Sequence, residues 1–133
     1  MSNPTNRKGA DFERDILPWI KVLWPKARRS GVGFDGSDYI NTDQASIEAK
    51  CRKDMRLGTW FKQAKVNAIN EGKRWPVVIH KRRHFGAHQA YVSMTLEDWV
   101  EMLADARGIE LPEDLYPVSE QDDVPDWSDE GIA

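Results

Sequence analysis

Three stretches of the chain carry apolar residues at helical spacing, three and four positions apart. The first contains Pro18, which should kink or divide the helix. The second stops at Gly72, a residue suited to a C-terminal cap, and the third starts at Thr95, a residue suited to an N-cap. The predicted helices cover residues 9–23, about 59–70 and about 95–107.

Strand patterns lie between these helices. Residues 37–41 and 45–51 are separated by a polar turn sequence, and we expect them to form a hairpin. Residues 76–80 form a continuous apolar run typical of a central strand covered on both faces, and apolar residues alternate over 88–94. The patterns together predict an α/β domain in which a mixed central sheet of about four or five strands is flanked by helices.

Charge is distributed unevenly along the 133 residues. Residues 1–90 contain 18 Lys and Arg against 9 Asp and Glu, a net charge of +9, whereas residues 91–133 contain 1 against 13, a net charge of −12. We expect one domain over 1–108, with a polar start that is disordered as far as Arg7, followed by an acidic, disordered tail over 109–133. The basic body suits a protein that neutralises phosphates.

Cysteine usage and hydropathy narrow the class of protein. Cys51 is the one cysteine, so the chain has no intramolecular disulfide framework. The sequence contains no apolar run of signal-peptide or membrane-spanning length. We therefore expect a cytoplasmic protein that does not bind membranes.

The candidate chemistry lies on the predicted hairpin. Glu48 and Lys50 are two residues apart and share one face of a strand, while the apolar residues beside them face the core. Asp38 on the preceding strand can reach the same place, and Glu13 on the first helix can supply a third carboxylate. Carboxylates and a main-chain carbonyl, here that of Ala49, suit Mg²⁺, and Lys50 can orient a water and stabilise developing charge. This set predicts phosphodiester hydrolysis with Mg²⁺, or with Mn²⁺ in its place.

In this order the residues resemble the PD-(D/E)XK nuclease superfamily, and within it the archaeal-type Holliday junction resolvases and their phage relatives. The resemblance covers about residues 7–93. Its motifs are Lys8-Gly9-Ala10-Asp11-Phe12-Glu13-Arg14, the glycine-rich segment from Gly31 to Asp38, Glu48-Ala49-Lys50, and Gln63 in the next helix. The proline that names the superfamily is replaced by Ser37, and the acidic C-terminal extension is not part of the pattern.

The resemblance implies a restriction-endonuclease-like fold and a homodimer that cuts two strands of a branched DNA junction. It implies that Glu13, Asp38 and Glu48 are the metal-site acids. Lys50 would be the catalytic lysine, and Gln63 would face the site. The residues expected to contact the DNA, Ser37 beside the scissile phosphate among them, are Arg7, Lys8, Arg28, Arg29, Ser37, Arg52, Lys53 and Arg56.

The sequence leaves other functions open. The same site could serve a nicking, mismatch or single-strand endonuclease, or an exonuclease of a recombination system. A third hypothesis is a non-catalytic DNA-binding protein. A Glu-x-Lys pair on a strand is often an ordinary salt bridge, and Asp38 alone can cap a turn. Trp60 and Phe61 favour a place in the core or a dimer interface over a base-stacking role.

Overall fold

The computed structural model describes residues 4–31 and 36–117. Its helices are α1 (Pro4–Leu23), α2 (Leu57–Glu71) and α3 (Leu96–Arg107). Its strands are β1 (Arg28–Arg29), β2 (Tyr39–Ile40), β3 (Ala45–Lys50), β4 (Trp75–His80) and β5 (Tyr91–Ser93), and short 3₁₀ turns cover Ala87–Gln89 and Glu113–Leu115. The described chain is therefore a mixed α/β fold.

The strands form two separate sheets. β4 is the centre of a three-stranded mixed sheet, parallel to β3 and antiparallel to β5, as the continuous apolar run predicted. β1 and β2 form a two-stranded antiparallel sheet. One sheet of four or five strands is therefore not confirmed. The predicted hairpin is wrong, because β2 pairs with β1 while β3 pairs with β4. A backbone hydrogen bond from the Asp38 N–H to the Ile47 carbonyl, 3.0 Å long, still joins the two sheets.

The second and third helices agree with the sequence prediction. α2 begins two residues before Thr59, and it ends at Gly72, whose φ of 68° is the left-handed conformation that favours glycine. Thr95 caps α3, since its side chain accepts the Asp98 N–H at 3.2 Å. Local signals were sufficient here because capping depends on residues that are close in sequence.

The first helix differs from its prediction in two ways. α1 begins at Pro4, so the described residues before Arg7, which were expected to be disordered, are helical. The helix also continues through Pro18 without being divided. Pro18 lies on the exposed side of α1, where water can bond to the carbonyl that the proline leaves without a donor.

Two apolar clusters hold the fold together, one on each face of the three-stranded sheet. On one face, Ile47 of β3 packs with Phe12 and Ile16 of α1. On the other face, Val78 of β4 packs with Trp60 of α2, which confirms a core position for this tryptophan. Glu48 is paired with Val78 in the sheet register, so the even-numbered residues of β3 lie between the sheet and α2.

α3 contributes little to this packing. Its apolar residues Leu96, Trp99 and Leu103 are 75%, 50% and 39% exposed. Of the predicted acidic tail, residues 109–117 are described and 118–133 lie outside the described residues. None of the described helices combines the length and hydropathy that a membrane span requires.

Candidate functional site

An open cleft of about 320 Å³ lies where α1, β3 and α2 meet. Each of the candidate catalytic residues lines it, although they come from four separate parts of the chain. The lining residues are Gly9, Ala10, Glu13, Asp38, Glu48, Ala49, Lys50, Cys51, Arg52 and Gln63.

Asp38 is fixed against β3 by two hydrogen bonds. Its backbone N–H donates to the Ile47 carbonyl, and its carboxylate oxygen Oδ2 accepts the Ala49 N–H at 2.8 Å. The N–H and carbonyl of one strand residue point to the same edge, so the Ala49 carbonyl also lies on the side of β3 that faces Asp38. Both oxygen donors predicted from this part of the sequence are therefore at one edge of the strand.

Glu13 approaches from α1. The Tyr39 hydroxyl donates to the Glu13 carbonyl at 2.6 Å, which anchors this turn of the helix over β2. The Arg29 guanidinium lies 3.4 Å from the Glu13 carboxylate. Burial and the nearby charge of Asp38 raise the pKa of Glu13, and Arg29 opposes the shift. The ionised form of Glu13 is therefore disfavoured even though Arg29 lies beside it.

Glu48 is the most deeply buried acid of the cleft, with 1% of its surface exposed. The Asn67 side-chain amide donates to its Oε1. Burial, followed by the charge of Asp38, raises the pKa of Glu48 to about 7, while the Asn67 hydrogen bond acts in the opposite direction. Burial also raises the pKa of Asp38. All three acids are therefore destabilised as anions.

Lys50 lies beside the three acids of the cleft, and α2 orients it. Its Nζ donates to Oε1 of Gln63 at 2.7 Å. The charge of Lys50 lowers the pKa of each of the three acids, so the ammonium is electrostatically coupled to the whole cluster. Gln63, which only the resemblance suggested, is in contact with the predicted catalytic lysine.

Sequence reasoning missed two residues of α2 that complete this arrangement. Asn67 holds Glu48, and the Glu71 carboxylate accepts the Ser46 hydroxyl at 3.0 Å. Together with Gln63 they form a row in which every fourth residue of α2 meets every second residue of β3. Four residues of helix rise about 6 Å and two residues of strand about 6.6 Å, so the two repeats stay in step. The four-residue spacing from Gln63 was the signal available in the sequence.

The donor set of the cleft is compatible with a magnesium ion. Among the described residues, no three Asp, Glu, His or Cys side chains are already grouped closely enough to enclose a metal. Mg²⁺ keeps several waters and commonly takes only one or two protein carboxylates, so a closed cage is not required. Asp38 and Glu48 each have one oxygen in a hydrogen bond and a second oxygen left for a cation. Acids of raised pKa that line a cleft are candidates for a functional site.

Two of the residues predicted to contact DNA make contacts within the protein. Ser37 is 1% exposed, and its hydroxyl lies 3.0 Å from both the Tyr39 carbonyl and the Glu71 carboxylate. It therefore connects the segment before β2 to α2, and it does not line the cleft. Arg29 pairs with Glu13, as described above, so its charge is shared with the acid cluster.

The remaining predicted DNA contacts are on the surface. Arg52 lines the candidate cleft, and it also lines a neighbouring cleft with Lys8 and Lys53. The other members of the set are exposed and line neither cleft: Arg7, Arg28 and Arg56. Five of these six candidates lie at the start of α1 or in the segment after β3, and Arg28 lies in β1.

No family model, curated protein or solved structure matches the chain. The features of the chain that bear on its function are three acids of raised pKa, one strand carbonyl and one lysine at the same cleft.

Proposed function

We propose that the protein is a metal-dependent endodeoxyribonuclease. The observation that carries the proposal is the convergence of Glu13, Asp38 and Glu48 with Lys50 on one open cleft. Burial disfavours the ionised forms of the three acids, and Lys50 lies beside them. This environment is suited to a divalent ion and a phosphate. As its particular activity we propose the resolution of four-way DNA junctions by a homodimer, a choice that follows from the sequence resemblance.

The chemistry divides between the ion and the chain. Mg²⁺ held by Asp38, Glu48 and the Ala49 carbonyl would supply Lewis-acid activation of water and neutralise charge on the scissile phosphate. Lys50, held by Gln63, orients the attacking water and stabilises negative charge that develops on the phosphate. Glu13 would be the third acid of the site, and in its ionised form it would add to the attraction of a cation.

The fold and charge support a nucleic-acid substrate. A mixed three-stranded sheet with a site on β3 and one acid, Glu13, from α1 is consistent with a restriction-endonuclease-like core. The net charge of +9 over residues 1–90 provides the electrostatic attraction that phosphodiester binding needs. A dimer would bring two such sites to one junction, so that each cuts one strand.

The test is a cleavage assay with conservative variants. The full-length protein is incubated with Mg²⁺ or Mn²⁺ and four labelled DNAs: a four-way junction, a flap, a single strand and a linear duplex. We expect metal-dependent cleavage of the junction and a loss of about 10²-fold or more in Asp38→Asn and Glu48→Gln. Asp43→Asn is the matched control, because Asp43 is an exposed turn acid with a φ of 51° that asparagine tolerates.

Two results separate the class of enzyme from its substrate. Wild-type rates in both site variants, or no metal-dependent cleavage of any of the four DNAs, would overturn the nuclease proposal. Cleavage that prefers linear duplex ends or single strands would retain the nuclease and overturn the resolvase.

A further inference from the structure

A second cleft, of about 470 Å³, lies directly beside the candidate active site. The two clefts share Cys51 and Arg52, so they are contiguous. Three separate segments build its walls: the N-terminal half of α1, the segment after β3 and the turn after β4. We call this cleft the basic groove, after its cationic residues Lys8, Arg52, Lys53, Lys81, Arg83 and the neighbouring His84.

The groove combines an excess of positive charge with a partly apolar floor. Its acids are Asp11 and Asp15, and Asp11 is already paired with Arg14. Within the described residues, none of the five Lys and Arg side chains of the groove forms an ion pair. Phe12, which is 2% exposed, lies at the base. Like charges gathered around one concavity repel each other unless an anion lies between them.

The position of the groove follows from the sheet topology. β3 and β4 are parallel, so their carboxyl ends lie at the same edge, and the Lys81 N–H donates to the Lys50 carbonyl at 2.9 Å. Ligands of open α/β sheets bind at this edge. The residue that follows the candidate catalytic lysine and the turn after β4 are therefore held side by side.

The turn after β4 is built to present only some of its cations to the groove. Arg82 stacks over Phe85 at 3.7 Å and over Tyr91 at 4.6 Å, which holds it away from the groove lining. His84 has a φ of 67°, an uncommon conformation for a residue other than glycine, and the Phe85 N–H closes the turn onto the Arg82 carbonyl at 3.1 Å. Arg83 is left exposed at the wall of the groove.

We infer that the basic groove is a binding site for the sugar–phosphate backbone of the strand being cut, on one side of the scissile phosphate. The inference rests on the proposed function, since the neighbouring cleft holds the phosphate that reacts. Arg52 lines both clefts and would contact the phosphate between them. Lys53 and Arg83 would contact the phosphates further along the strand.

The main test measures DNA binding in EDTA, so that cleavage plays no part. The probe is a fluorescein-labelled synthetic four-way junction, and the variant is the double substitution Lys53→Ala/Arg83→Ala, which changes two exposed side chains. We expect the dissociation constant to rise about 10-fold or more. The magnitude of the slope of log K against log salt should fall by about 0.7 to 0.9 for each lost phosphate contact, or by about 1.4 to 1.8 for the two together.

The matched control removes two positive charges at the opposite end of α1. Lys21→Ala/Lys26→Ala has the same net charge as the groove variant, and Lys21 lies about 20 Å along the helix from Lys8. Equal losses of affinity and equal salt slopes in the two double variants would overturn the inference that the groove binds DNA, because net charge alone would then explain the effect. Thermal unfolding of both variants checks that each is folded.

A second measurement places the groove relative to the reacting bond. Single neutral methylphosphonates are placed along one strand, and binding in EDTA is compared between the wild type and Lys53→Ala/Arg83→Ala. We expect the wild type to lose affinity at positions on one side of the cleavage point and the variant to be insensitive at those positions. The same sensitivity profile in both proteins would overturn the inference. Failure of metal-dependent cleavage would leave the comparison of affinities and salt slopes between the two double variants intact, and it would count against the proposed function alone.

Discussion

Ala45 and Ile47 on one face of β3 pack into an apolar cluster with α1, whereas Ser46 and Glu48 on the opposite face lie against polar residues of α2. Both faces are buried. The first is stabilised by the removal of apolar surface from water, which depends on size and shape. The second requires a specific hydrogen-bond partner for each side chain, because a buried polar group without one is costly.

Within this six-residue strand, one face therefore supports the fold and the other lines the proposed site. The apolar face can support the fold without regard to the chemistry of the cleft. The polar face retains Glu48, whose ionised form is disfavoured by burial. Proteins tolerate such a local cost where a site requires it.

The largest effect expected from the polar face is the loss of Lys50. In Lys50→Met the cleavage rate at saturating DNA should fall by about 10² to 10⁴-fold, because charge developing on the phosphate loses its cation. The free energy of unfolding should change little, since Lys50 is only half-buried. Single-turnover kinetics measure the first quantity and urea denaturation the second. Lys21→Met is the control. A cleavage rate of Lys50→Met within threefold of wild type would remove Lys50 from the mechanism.

The apolar face should show the reverse behaviour. Ile47→Ala should lower the free energy of unfolding by about 2 to 4 kcal/mol, because it opens a cavity between β3 and α1. Val66→Ala, at a side chain that is 55% exposed, should stay within about 0.5 kcal/mol. Urea denaturation compares the two variants. A cost at Ile47 no larger than at Val66 would contradict the division between the faces.

The sequence predicted which residues lie on each face of β3, but it did not predict which residues of the neighbouring helices cover those faces. Alternation placed Ile47 toward the core and Glu48 away from it, because a strand has a period of two. The partnership of Glu48 with Asn67 depends on how α2 is aligned along β3, which is a tertiary property. The four-residue repeat of α2 could have indicated it only once that alignment was known.

The separation of the sheets was also beyond local signals. The turn between β2 and β3 contains Asn41 and Asp43 with φ values of 63° and 51°, and the Thr42 hydroxyl bonds to the Ala45 carbonyl at 2.6 Å. A sequence typical of hairpins therefore closes a turn without pairing its two strands. Strand pairing is decided by distant segments, here β1 and β4, whose positions the turn residues do not encode.

Glu48 should make the stability of the metal-free protein depend on pH. Its pKa is raised from 4.5 to about 7 on folding, so the folded state holds the proton more tightly than the unfolded state. The cost is absent below pH 4.5, grows as pH rises, and reaches up to about 3 kcal/mol above pH 7. Glu48→Gln should therefore be more stable than wild type in EDTA, by a much larger margin at pH 8 than at pH 5.

Thermal unfolding at the two pH values measures this difference. Mg²⁺ at pH 8 should recover part of the stability of the wild type and should have less effect on Glu48→Gln, because an ion that binds only the folded state stabilises it. A difference between the two proteins that is the same at pH 5 and pH 8 would contradict the raised pKa.

The smallest effect is expected at the end of the polar row furthest from Lys50, where Glu71 accepts the Ser46 hydroxyl and lies 3.0 Å from that of Ser37. Glu71→Ala leaves two buried hydroxyls without this partner and should cost about 1 to 2 kcal/mol. Glu71→Gln retains an oxygen and an amide at the same positions, so it should cost less than about 1 kcal/mol. A double-mutant cycle with Ser46→Ala should give a coupling of about 0.5 to 1 kcal/mol for the alanine variant. If Glu71→Gln costs as much as Glu71→Ala, the carboxylate acts through its charge and not through its hydrogen bonds, and the row is then an extension of the acid cluster toward α2.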